Sequence, residues 1–170
     1  MAEQLVLVDL FDRPIGTAEK LETHQRGLLH RAFSIFLIDG SRMLIQQRAA
    51  HKYHSGGLWA NACCSHPRPE EALADAAARR LQEECGAVCP LTELFSFVYR
   101  QPFADGLCEY EVDHVLLGRY DGPLTRNPDE AAQLLWIERD ELAERLLTRP
   151  QDFAAWFVIA APRVLALTAR

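Results

Sequence analysis

The run "HRAFSIFLIDGSRMLIQQR", His30 to Arg48, constrains this chain more than any other. Two apolar stretches flank Asp39-Gly40-Ser41, a tight-turn signal, and the whole reads as a β-hairpin. Further strand signals surround it. "EQLVLVD" alternates near the N-terminus, and "GGLWANACC" follows two glycines as one strand. "ELFSFVYRQ" and "LCEYEVDHVLLGRY" are strands separated by the loop "FADG", and "LLWIE" is a short one. Helices are placed between and after them. One begins at Pro69, with Glu70 and Glu71 suiting its positive N-terminal end. Leu73, Ala77 and Leu81 form its buried stripe, and Gly86 stops it. "RDELAERLLT" is a second helix, and an apolar helix runs from Gln151 onward. Mixed strands with helices packed around them predict an α+β fold, an α/β sandwich. Too few βαβ units are present for a doubly wound parallel sheet.

A chain of 170 residues suits one domain, 1–170, with a proper hydrophobic core. A net charge of −6 argues against a general nucleic-acid binder, yet leaves room for an anionic small ligand beside a local basic cluster. The N-terminus shows no basic start followed by an apolar core. The longest apolar run, "FAAWFVIAAPRVLAL", is interrupted by Pro162 and Arg163, too short to span a bilayer. A cytoplasmic protein with no membrane association and no obligate protein partner is expected. The five cysteines, an odd number outside any small secreted framework, are expected to be reduced.

Three groups of residues invite chemistry. His24 and His30 flank "QRGLL", and His66 follows later. Taken singly, each is an ordinary surface or core histidine. Beside them stands "CEYEVD", in which Glu109, Glu111 and Asp113 share one strand face. That face is either solvated or neutralised by a divalent cation held by imidazoles and carboxylates, with Mn²⁺, Mg²⁺ and Zn²⁺ all suited. On the charged helix, Arg80 and Glu84 lie one turn apart, as do Arg79 and Glu83. They are surface ion pairs, or a phosphate and metal rim in which Glu84 holds a hard cation and Arg80 grips oxygens. Lys20, Arg48 and Lys52 would join that rim. Cys63 and Cys64 are consecutive in a strand, so one packs inward and the other can face a cleft.

The segments "AEKLETH", "LLHRAFSIFLID", "WANACCSHP", "ARRLQEECG", "CEYEVDHV" and "FAAWF" together resemble type I isopentenyl-diphosphate isomerases, which have a Nudix-like fold. The resemblance covers nearly the whole chain. It implies that His24, His30, His66, Glu109 and Glu111 hold one divalent metal, and that Glu84 helps bind Mg²⁺ bridging a diphosphate. It implies Cys64 and Glu111 as the acid/base groups on opposite sides of the substrate, with Tyr99 beside Glu111. Lys20, Arg48, Lys52 and Arg80 would hold phosphate oxygens, and Trp156 would lie against the hydrocarbon of an isoprenyl diphosphate. The rival readings are a Nudix diphosphate hydrolase, a non-catalytic Nudix-like binding module and a thiol redox protein. The hydrolase box G-x5-E-x7-R-E-U-x-E-E-x-G-U (U a bulky aliphatic) is met by Glu71, Arg79, Leu81, Glu83, Glu84 and Gly86. Ser65, Arg80 and Ala87 depart from it, and Arg80 replaces an acid with a cation. That favours isomerisation over hydrolysis.

Overall fold

The computed structural model describes residues 2–52 and 54–169. Residues 1, 53 and 170 of the expected single domain lie outside the described residues. The elements run β1 (Gln4–Val8), β2 (Pro14–Glu19), α1 (Lys20–Arg26), β3 (His30–Asp39), β4 (Arg42–Arg48), β5 (Trp59–Asn61) and β6 (Cys63–Ser65). Then follow α2 (Leu73–Cys85), β7 (Leu91–Pro102), β8 (Cys108–Arg119), β9 (Ala131–Glu138), α3 (Arg139–Thr148) and α4 (Ala155–Leu167). The strands form one mixed sheet. β3 and β8 are parallel, and the other pairings between named strands are antiparallel.

β3 shows why this is a sandwich. Phe33, Ile35 and Leu37 pack against Ala76, Ala77, Leu81 and Cys85 of α2. Phe36 and Ile38 point the other way, into the cluster holding Leu142 of α3 and Trp156, Phe157 and Val164 of α4. A strand buried on both faces reads as a continuous apolar run. Burial is therefore what shaped "AFSIFLI". Each fully buried Phe, Leu or Ile contributes roughly 1.5–3 kcal/mol by transfer. The helices thus cover both faces of the sheet, and the expected α+β sandwich is the observed one. Among the described residues, no helix is long and apolar enough to cross a membrane.

The hairpin turns where expected, with Asp39 paired to Arg42 and Gly40 at φ 54°. Three local expectations need correction. "GGLWANACC" is two short strands, because the chain changes partners at Ala62: β5 pairs with β4 and β6 with β3. The charged helix begins at Leu73, not Pro69. Glu70 has φ 64°, and Glu71 turns back to accept from the Arg68 amide (2.9 Å) and from Arg79 (2.7 Å), so the first acid inside the helix is Asp75. The last helix starts at Ala155, after a 3₁₀ turn at Pro150–Asp152. Two elements were not anticipated, β2 and α1, and α1 carries both Lys20 and His24.

Candidate active site

One face of the sheet changes character along its length. On β3 the side chains of His30, Ala32, Ser34, Phe36 and Ile38 share that face. On β8 it carries Glu109, Glu111, Asp113 and Val115. The parallel register sets His30 beside Glu111 and Ala32 beside Asp113. Antiparallel pairing with β7 brings Tyr99 to Glu111, and pairing with β6 brings Cys64 to Ser34. Polar groups therefore gather at one end of a face whose other end, with Phe36 and Val115, is core. The same registers send Cys63 to the opposite face, fully buried against α2.

The polar end holds five potential ligands. His24, His30, His66, Glu109 and Glu111 each offer an atom, all within 4.8 Å of one another. The ring orientations are set from behind. His24 Nδ1 donates to the Lys20 carbonyl (2.6 Å), and His30 Nδ1 donates to the Leu28 carbonyl (2.9 Å). Each Nε2 then faces carboxylate oxygens: His24 to Glu109 at 3.2 Å, His30 to Glu111 at 3.4 Å and to Glu109 at 3.8 Å. A neutral imidazole with Nδ1 protonated has a lone pair on Nε2. Two such lone pairs pointed at buried carboxylates repel unless a cation, a second proton or a metal lies between. His30 Nε2 and Glu109 Oε2 are buried without hydrogen-bond partners among the described residues. The donor set could hold a divalent metal ion, with two of its imidazoles oriented by backbone carbonyls.

Charges around the cluster respond to this crowding. Burial works against ionised Glu109, yet hydrogen bonds from His24 and His54 outweigh it and hold that carboxyl well below its usual range. Burial, reinforced by the Glu111 charge, pushes Asp113 well above its usual range, and Ser34 Oγ donates to it at 2.8 Å. Burial also keeps the Tyr99 phenol protonated, so Tyr99 Oη donates to Glu111 Oε2 at 2.7 Å. Glu111 Oε1 meets His66 Nε2 at 3.0 Å.

A cavity of about 770 Å³ opens beside this cluster. Cys64, Tyr99, Glu111 and Trp156 all line it. The thiol and the carboxyl thus face one space. Burial pushes the Cys64 thiol up to about 12, against the pull of Arg48, whose Nη1 lies 3.8 Å from Sγ. Arg48 also stacks over the Trp156 ring at 5.2 Å. The indole Nε1 donates to Asn61 Oδ1 at 3.1 Å.

Lys20, Arg48, Lys52 and Arg80 line the cavity too, as do His66 and Glu109. Among the described residues, three of these four cations have a carboxylate partner: Lys20 with Glu3 (2.9 Å), Lys52 with Glu130, and Arg80 with Glu130 (3.1 Å) and Glu84 (2.5 Å). Glu84 is only 1% exposed. It lies under Arg80, with Gln46 Nε2 at 3.4 Å, and burial raises its pKa. His24, His30 and Glu84 are not on the cavity wall. They sit behind it.

Several participants were not anticipated. Asn61 lies within the quoted "WANACC", but nothing in its spacing marks it as the partner of an indole 95 residues away. Glu130 belongs to an "NPDE" turn that reads as solvated loop. His54 reaches Glu109 at 2.6 Å from a connection without periodicity. The helix pairs Arg79–Glu83 and Arg80–Glu84 both form. Only the second carries a nearly buried carboxylate, which surface pairing does not require.

A family model described as NUDIX domain matches residues 28–157. A protein of Aromatoleum aromaticum named isopentenyl-diphosphate Delta-isomerase 2 is 52% identical, covering 97% of this chain and 88% of its own. A Burkholderia multivorans protein named isopentenyl-diphosphate Delta-isomerase is 51% identical, covering 92% of this chain and 90% of its own. Among solved structures, a protein of Deinococcus radiodurans superposes with TM-score 0.77 at 18% identity, over 95% of this chain and 98% of its own. A MutT NUDIX hydrolase of Burkholderia pseudomallei gives 0.65 at 22% identity, over 80% and 98%. At such identities the structures speak for the fold alone.

Proposed function

The chain belongs to the isopentenyl-diphosphate Delta-isomerase family, built on the NUDIX domain, and we propose on that premise how its cavity moves a double bond. It is an isomerase that interconverts isopentenyl and dimethylallyl diphosphate by protonation and deprotonation. The reaction adds a proton at C4 and removes one from C2, passing through a tertiary carbocation at C3. An unactivated alkene is a poor base. The pocket must therefore hold an acid and a base on opposite sides of one C5 unit and stabilise positive charge between them.

The observation that carries the assignment of roles is the shared cavity of Cys64 and Glu111. Cys64, its thiol pushed up by desolvation, holds its proton and gives it to C4. Glu111, bonded by Tyr99 Oη, accepts the proton lost from C2. Run backward, the two exchange roles. The Trp156 ring stabilises the cation, by about 2 kcal/mol when desolvated. Arg48 already stacks on that ring, which supports its ability to face positive charge. Water must be kept from the carbocation, which it would otherwise trap as an alcohol.

Lys20, Arg48, Lys52 and Arg80 bind the diphosphate, displacing Glu3 and Glu130 from the lysines and Arg80. Glu84, behind the cavity wall beneath Arg80, would help hold a Mg²⁺ ion, which would supply positive charge beside the diphosphate. His24, His30, His66, Glu109 and Glu111 would hold a second divalent ion, Mn²⁺, Mg²⁺ or Zn²⁺. That ion, when bound, would supply positive charge beside the Glu111 carboxyl and fix its position. The small-molecule diphosphate is the proposed partner, and cytoplasmic action fits a reduced Cys64.

The test is proton NMR of the purified protein with Mg²⁺ and isopentenyl diphosphate, paired with a phosphate assay. Growth of dimethylallyl methyl signals without free phosphate is expected. Phosphate release with the alkene unchanged would make the protein a hydrolase.

A further inference from the structure

His54 lies in the connection between β4 and β5, outside the five-ligand cluster, and is 9% exposed. Its Nε2 is 2.6 Å from Glu109 Oε1, closer than His24 Nε2 at 3.2 Å. An ionised carboxylate only accepts, so His54 is the donor. The bond engages Oε1 and leaves Oε2 without a partner among the described residues, 3.8 Å from His30 Nε2. A carboxylate tied through one oxygen loses its freedom to rotate and presents the other in one direction. Polar groups that fix a ligating side chain in this way usually matter to metal affinity nearly as much as the ligands.

The ring is itself well held. It stacks on Phe103 with centroids 4.9 Å apart, and its edge meets Trp156 at 6.0 Å. The His54 carbonyl lies 3.4 Å from Arg48 Nη2, and Arg48 in turn covers the Trp156 ring. One residue therefore touches a ligand of the cluster and the aromatic wall of the cavity.

We infer that His54 is a positioning residue, which donates to Glu109 Oε1 so that Oε2 is turned toward the divalent ion. The inference rests on the reading that the five-residue cluster takes such an ion. Metal-stripped full-length protein is titrated with Mn²⁺ by calorimetry, as wild type, His54→Leu, His54→Met and His54→Gln. Leu and Met fill the space without a donor, while Gln places an amide N–H near the Nε2 position.

The expected result is Mn²⁺ affinity at least about 10-fold weaker in the Leu and Met variants, within the 10–100-fold effect typical of such partners, and within about 3-fold of wild type in the Gln variant. Thermal unfolding of the metal-free variants confirms folding, and either donorless variant suffices if the other does not fold. Unchanged affinity without the donor overturns the inference. So does equal weakening in all three variants, which would make the ring a packing element only. Failure of wild type to bind Mn²⁺ is a distinct outcome: it overturns the cluster reading, and this inference with it.

Discussion

Replacing Asn61 with Leu tests how the aromatic wall of the cavity is held. Asn61 is fully buried. Its Nδ2 donates to the carbonyls of Ile35 (3.1 Å) and Cys63 (2.6 Å), and its Oδ1 accepts from Trp156 Nε1 (3.1 Å). Leucine has a similar branched outline but a larger volume, so the change removes the hydrogen bonds, leaves no cavity and adds some overpacking. The indole N–H is left buried and unmatched, at about 1–3 kcal/mol, and each carbonyl loses a bond of about 0.5–1.5 kcal/mol. A total near 4 kcal/mol follows, or roughly 8–16 °C in Tm at about 2–4 °C per kcal/mol for a chain of this size. The specific part is isolated by a double-mutant cycle with Trp156→Phe, which keeps a ring and removes the N–H. Calorimetric unfolding of the four proteins is predicted to show about 1 kcal/mol of coupling. Additive effects, within about 0.5 kcal/mol, would refute the claim that Asn61 and Trp156 act as a pair. Isomerase turnover is predicted to fall in Asn61→Leu as the indole loses its anchor.

Cys64→Ala is predicted to abolish turnover while Cys63→Ala, facing the α2 core, retains most of it at lower stability; equal losses from both would remove the acid role of Cys64. Glu71 is held at about 2 by hydrogen bonds from Arg79, below its ordinary 4.5, so its contribution is present above pH 4.5 and lost as pH falls toward 2. The Tm gap between wild type and Glu71→Gln should therefore be constant above about pH 5 and narrow across that window; a gap unchanged at pH 3 would contradict the assignment.

How much of this was legible beforehand depended on whether a residue's role followed from its neighbours in sequence. The hairpin at Asp39–Arg42 and the shared face of Glu109 and Glu111 follow from local periodicity, which the sheet preserves. That Cys63 and Cys64 point oppositely was equally local. Which of them faces the cavity depends on the pairing of Cys64 with Ser34, 30 positions earlier, which no local pattern carries. β2 and α1 escaped notice because β2 is almost wholly exposed and has no alternation, while α1 is seven residues long and buries Thr23 and His24, neither apolar. The start of α2 was misplaced because Ala72 at its N-cap makes no side-chain cap and the acids before it serve Arg68 and Arg79 instead. His54 was out of reach for a similar reason. Only the tertiary placement of His54 brings it to Glu109.

The central claim is that separate groups deliver one proton and remove another. It is tested most directly by converting isopentenyl diphosphate in D₂O and reading the product by proton and deuterium NMR. The account predicts dimethylallyl diphosphate with deuterium in the methyl group formed from C4 and with no phosphate released. Product whose new methyl group carries no deuterium would mean that hydrogen passed directly from C2 to C4, and the arrangement of Cys64 and Glu111 across one cavity would then have no part in the reaction.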